Sequence, residues 1–214
     1  MSITKRIFYF SLLSIVLTFL HLEVILDIHP VWLRTHEIPF IFIELIVWLF
    51  IILLFIKISR YDFFEGLNNN VVLFTRISWR KLVFTLGMFS LAILIGYFDD
   101  HYNMTNLPEN QRFINQYYLQ VPLLVSVSNY LFAPTVEELL FRGLFFKMFF
   151  PNKTKLNLLL KITISGIVFG FAHQFTIDIN WFIYCSMGWI LSITYYYTEE
   201  LAYPILLHLL VNLI

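Results

Sequence analysis

From residue 119 to residue 150 the chain runs 32 predominantly apolar residues, and inside that run stand Glu137, Glu138 and Arg142. As one helix such a run would reach about 48 Å, too long for a hydrocarbon core of about 30 Å. Pro134 is placed to break or kink it, so that one part spans and the part carrying the glutamates continues as a bent or second helix. A charge near the centre of a bilayer costs roughly 2.5–3.5 kcal/mol on insertion scales, so three kept together need a compensating reason. On a helix Glu138 and Arg142 are four apart, acid before base, and face the same way. Glu137 is turned by about 100° from Glu138. One glutamate thus has a built-in cation, and its neighbour is left for other chemistry.

Composition extends the membrane reading to the whole chain. Of its 214 residues 59% are hydrophobic and 13% charged, with a mean hydropathy of +0.77, where a soluble domain carries about 25% charged residues. The expected architecture is all-α: a multi-pass transmembrane helical bundle of about seven helices, forming one domain over residues 1–214. The spans are read at residues 7–26, 38–58, 82–98, within 119–150, at 156–175, 179–197 and 201–214. The last is short and is expected to insert incompletely. The N-terminal MSITKR precedes an apolar run without a small-residue cleavage site, so it reads as a retained first span. Residues 59–81 interleave Arg60, Arg76, Arg80 and Lys81 with aromatics, as suits a loop on the membrane surface.

Charge sets the expected orientation. With the N-terminus cytoplasmic and the spans alternating, Lys5, Arg6, Lys57, Arg60, Arg76, Arg80, Lys81, Lys147, Lys153, Lys155 and Lys161 fall inside, and Arg34 and Arg112 outside. The location expected is the cell membrane. The single cysteine, Cys185, excludes an internal disulfide and a cysteine-built metal cluster. No glycine-rich phosphate loop and no basic nucleic-acid patch is present, so the partners expected are a peptide or protein substrate and the lipid bilayer. Oligomeric state is left open.

Three later residues share the depth of the glutamates. His173 lies in the fifth span, and His208 and Asn212 lie four apart on one face of the last helix. Counted from the cytoplasmic boundaries, Glu137 is 10 residues from Lys147, His173 is 12 from Lys161 and His208 is 8 from Glu200, depths of about 12–18 Å. A carboxylate and two imidazoles at one level support two chemistries. Glu137, His173 and His208 could hold a divalent metal such as zinc that activates water. Alternatively Glu137 and a histidine act as general bases, with the Asn212 amide and the second imidazole donating to an oxyanion. The plain reading of Glu138 and Arg142 is a structural ion pair, and of the histidines an interhelical hydrogen-bonding role. Glu44 in the second span has no assigned role. Glu23 and His21 reach the interface, and Asn129 either reaches the site or satisfies backbone near Pro134.

The motifs resemble a known family. EELLFRG at residues 137–143 resembles the EExxxR motif of the CPBP family (CAAX proteases and bacteriocin-processing enzymes, the Abi family). FGFAH at 169–173 resembles its FxxxH motif, and HLLVN at 208–212 its HxxxN motif. The likeness covers residues 119–214; the first three spans match only as hydrophobic helices. It implies that Glu137 and His173 activate water, that His208 and Asn212 support the oxyanion, and that Glu138 with Arg142 is structural. Members are described both as metalloproteases and as metal-independent glutamate proteases. The implied activity is intramembrane endopeptidase cleavage of a membrane-associated, prenylated or bacteriocin-like peptide, in a cavity expected to open to the cytoplasm. Bacteriocin immunity and peptide processing are the implied settings. Two other classes compete with it: a non-catalytic immunity or scaffold protein binding a peptide or transporter partner, and a transporter using Glu137 as proton carrier. The latter expects inverted repeats, which the sequence lacks.

Overall fold

The computed structural model describes residues 2–20, 30–60, 71–102, 107–150 and 154–214. The expected residues His21 and Glu23 lie outside these, as do residues 61–70 of the expected surface loop. Helices run at α1 (Ile3–Leu20), α2 (Pro30–Thr35), α3 (Glu37–Arg60), α4 (Trp79–Tyr102) and α5 (Glu109–Tyr118). After the long central rod, residues 122–149, come α9 (Lys155–His173), α10 (Ile179–Thr198) and α11 (Ala202–Asn212). No strand occurs among the described residues. Apolar runs of this length satisfy their own backbone only as helices when water is excluded. By length and composition three of them, Glu37–Lys57, Trp79–Phe98 and Lys155–His173, can cross a membrane, and Ala202–Asn212 is a shorter apolar helix.

The central rod departs from the expected break at Pro134. Helical backbone continues through α6 (Pro122–Val127), a π turn (Ser128–Phe132), α7 (Ala133–Glu138), a second π turn (Leu139–Leu144) and α8 (Phe145–Phe149). Pro134 sits in the first turn after the Ser128–Phe132 π turn. There the wider i→i+5 pattern is already in place, with the Ala133 N–H donating to the Ser128 carbonyl. Side chains also bond carbonyls of this stretch. The Thr135 hydroxyl donates to the Leu131 carbonyl at 2.8 Å, and the Asn212 amide to the Asn129 carbonyl, also at 2.8 Å. Membrane helices tolerate proline in this way, through neighbouring hydroxyls and side chains that re-bond the backbone.

The core forms where this rod meets the other helices. Phe132, Val136, Leu139, Leu144 and Met148 pack with Phe55 of α3, Ala92 of α4, Phe169 of α9, Ile190 of α10 and Leu207 of α11. Glu44 is buried on α3 against Ser128 of the first π turn. Helices α9 and α10 meet at close range: a Cβ at Gly188 would come within 2.8 Å of the Gly166 Cα, and one at Gly170 would run into the Cys185 Sγ. Glycine is required at these positions because the backbones themselves are in contact.

One end of the bundle is sewn shut. Residues 71–78, expected as surface loop, dock on the turn between α10 and α11. The Leu201 and Ala202 amides donate to the Val72 and Leu73 carbonyls at 3.0 and 2.9 Å. Glu200 accepts from the Thr75 amide, the Thr75 hydroxyl and Lys81 at 3.0, 2.8 and 2.6 Å. Burial acts to raise the Glu200 carboxyl, but the bonds from Lys81 and Thr75 outweigh it and hold it below its ordinary value.

Candidate active site

Glu137, on α7, stands between two imidazoles. Its Oε2 is 3.5 Å from Nε2 of His173, at the end of α9, and 3.9 Å from Nε2 of His208 on α11. The depth count along separate helices thus corresponds to an actual meeting of side chains. Hydrogen bonds on the far side of each ring fix its tautomer. His173 Nδ1 lies 2.9 Å from the Phe169 carbonyl, which can only accept, so Nδ1 carries the hydrogen. His208 Nδ1 lies 3.1 Å from Glu138 Oε1, a carboxylate already paired with Arg142, so it too donates. In their neutral forms both rings therefore turn an Nε2 lone pair toward Glu137. Basic atoms from three helices face one spot, and a water molecule there would be offered only acceptors for its protons.

The adjacent pair holds this arrangement in place. Arg142 Nη1 donates to Glu138 Oε1 at 2.7 Å, and Nη2 donates to the Gly188 carbonyl at 2.8 Å. Both side chains are fully buried. The i, i+4 pairing read from the sequence is present, and Glu138 has a further role that the helix phase did not reveal: it orients His208. Phe169 fills the space between these groups. Its ring stacks on His173 at 4.3 Å, meets His208 edge-on at 5.7 Å and lies 5.0 Å beneath the Arg142 guanidinium. Tyr184 of α10 stacks on the other side of His173 at 4.9 Å. Sequence reasoning missed Tyr184 and the Gly188 carbonyl. Spacing in the sequence does carry one signal for this contact, the small-xxx-small pair Gly166 and Gly170.

Asn212 is beside the site rather than in the triad. Its amide donates to the Asn129 carbonyl of the first π turn, and Asn129 lines the cavity, the first of the two roles left open for it. That cavity measures about 940 Å³ and is lined by Glu137, His173, His208 and Asn212 together with α5, the end of α9 and the start of α10. Its mouth lies at the end of the bundle away from the sewn-shut turn. Among the described residues the opposite end is occupied by residues 71–78 and by the core around Phe55, Leu139 and Met148.

Glu137 with two Nε2 atoms is a donor set whose chemistry zinc accepts, and Nδ1 anchoring by a carbonyl and a carboxylate is how zinc histidines are oriented. Among the described residues, however, no group of three histidine, cysteine, aspartate or glutamate side chains is placed to hold a metal ion.

The fold and site define a class: a helical protein with membrane-length apolar segments and a partly buried carboxylate–imidazole centre between its helices. Residues 119–214 match the family described as Rce1-like, type II CAAX prenyl endopeptidase, and through this segment the resemblance read from the three motifs is shown. The chain is similar to the membrane-embedded CAAX protease MroQ of Staphylococcus aureus (strain USA300), 28% identical over 141 residues, which cover 64% of this chain and 55% of that protein. It is also similar to the UPF0177 protein YvdC of Lactococcus lactis subsp. lactis (strain IL1403), 26% identical over 170 residues, 77% of this chain and 62% of that protein. The matches thus cover less than two thirds of the length of either relative. No solved structure matches the chain.

Proposed function

We propose that the chain is a CAAX-type intramembrane endopeptidase that hydrolyses a peptide bond of a membrane-associated peptide with water activated by Glu137 and His173. The observation that carries this reading is the placement of Glu137 Oε2 between two Nε2 atoms whose tautomers are set from behind. A water between Glu137 and His173 gives up a proton as its oxygen adds to the scissile carbonyl carbon. The tetrahedral oxyanion then collapses, the C–N bond breaks, and the proton held by the base passes to the leaving amine. Asn212 spends one amide hydrogen on Asn129 and keeps the second for the oxyanion. His208 donates there through Nε2 when doubly protonated, because its Nδ1–H is committed to Glu138.

The test is cleavage of a quenched fluorescent peptide, prenylated and unprenylated, by the purified chain in detergent. Glu137→Gln and His173→Ala are each expected to lower turnover by about 10²–10⁴-fold, the usual worth of a general base, with peptide binding retained. Turnover that Glu137→Gln leaves intact would sink the reading and favour a non-catalytic peptide-binding protein. Exhaustive chelation is expected to leave turnover in place. Loss of activity on chelation, restored by zinc, would instead hand the water to a metal held by Glu137, His173 and His208.

A further inference from the structure

The basic residues and the cavity mouth occupy opposite ends of the bundle. At the closed end Arg6 donates to the Met148 carbonyl at 2.6 Å, Lys81 pairs with Glu200, and Lys161 lies over Phe146 and Tyr196 at 5.3 and 5.2 Å. Arg76 and Arg80 flank the same docked segment, and Lys155 opens α9 on this side. At the mouth end the described residues offer only Arg34 and Arg112. Among the described residues lining the cavity, Glu137 carries the one side-chain carboxylate, and none is a lysine or arginine. Positive charge on short loops marks the cytoplasmic side, so a mouth at the other end faces away from the cytoplasm.

The wall at that mouth is chemically specific. Helix α5 turns Asn110, Gln111, Asn115 and Tyr118 toward the cavity, while Phe113 and Tyr117 pack back on the Leu33 and Leu124 cluster. Gln111 Nε2 donates to Asn115 Oδ1 at 2.9 Å, and the donors and acceptors these neutral amides have left can meet an extended peptide backbone without selecting a charge. The segments next to these lining elements carry exposed apolar side chains, Leu119 just after α5 at 83% exposure, and Phe175 and Ile177 between α9 and α10 at 81% and 74%. They suit contact with lipid or with an apolar portion of the substrate.

We infer that the peptide enters from the extracytoplasmic face and lies against the amide face of α5, so that the substrate is a segment already carried across the membrane. This rests on the endopeptidase reading for its substrate class, but its sidedness is tested without turnover. Single cysteines at Asn115 and Ile177, and at Ile77 on the docked basic segment, are introduced into the full chain, whose own Cys185 is buried and supplies the blank. In intact cells with a single bounding membrane, an impermeant maleimide is expected to label Asn115→Cys and Ile177→Cys, and Ile77→Cys only after the membrane is opened. The reverse pattern overturns the proposal. In purified protein, attaching a bulky maleimide to Asn115→Cys is expected to abolish cleavage relative to the same variant unmodified, whereas modifying Ile77→Cys leaves it unchanged. Undiminished cleavage by modified Asn115→Cys would remove α5 from the substrate path. A chain that cleaves no peptide at all would still report its sidedness through the first experiment.

Discussion

Glu138 serves two partners with one oxygen: Oε1 accepts from Arg142 at 2.7 Å and from His208 at 3.1 Å. Its removal leaves the Arg142 guanidinium buried without its carboxylate, and breaking a buried pair in this way costs about 3–5 kcal/mol. Glu138→Ala and Arg142→Ala are therefore expected to lower folded yield and melting temperature in detergent. The double variant Glu138→Gln with Arg142→Gln recovers part of that stability because no lone charge remains. It does not recover turnover, since His208 has lost the carboxylate that sets its tautomer. Thermal melts run beside the cleavage assay separate the two effects, and a double variant restored in both would reduce Glu138 to a structural partner. These residues were legible because three spaced motifs carry them and because helix phase pairs Glu138 with Arg142. The bond from His208 to Glu138 crosses 70 positions of sequence, and nothing local announces it.

Among the elements, the contact of α9 with α10 decides whether Arg142 reaches the Gly188 carbonyl. A methyl at Gly188 would meet the Gly166 Cα at 2.8 Å and the Phe169 Cβ at 2.9 Å, and neither can swing aside as a flexible side chain would. Gly188→Ala is expected to cost about 1–3 kcal/mol, the range for overpacking, and to lower turnover by displacing Phe169 from its two histidines. Gly87→Ala on α4 meets nothing within 4 Å and should be neutral or stabilising by up to about 1 kcal/mol. Equal melting temperatures for the two variants would contradict this account. The long helices fall close to their expected limits, as at α3 and α10, because apolar runs bounded by charges leave little choice. The π turns did not follow from the sequence. Pro134 predicts a break wherever its missing N–H goes uncompensated, and here the Asn129 carbonyl five residues before it is bonded by Asn212 on a distant helix. Helix α5 was missed because it is short and its amides suppress the hydrophobic signal.

For the molecule as a whole, the latch at Glu200 ties the first half of the chain to the second. Its carboxyl lies below the ordinary 4.5 because bonds from Lys81 and Thr75 prevail over burial. A depressed carboxylate adds stability that is complete above 4.5 and is lost as pH falls through its lowered folded value, since the unfolded state binds the proton first. Melting temperature is therefore expected to drop as pH is taken below 4.5, and Glu200→Gln to show a weaker drop over the same range. Parallel curves for the two proteins would rule out the latch as the source. The same latch has a consequence for solvent. Behind Glu137 the bundle closes over Phe55, Leu139, Leu144 and Met148, and the turn beyond them is hydrogen-bonded shut. Among the described residues the cavity therefore has a floor, like a well. Seated in a bilayer, a well of this kind would bring solvent to the depth of the histidines from one side while the packed floor behind them keeps bulk water from passing through to the other.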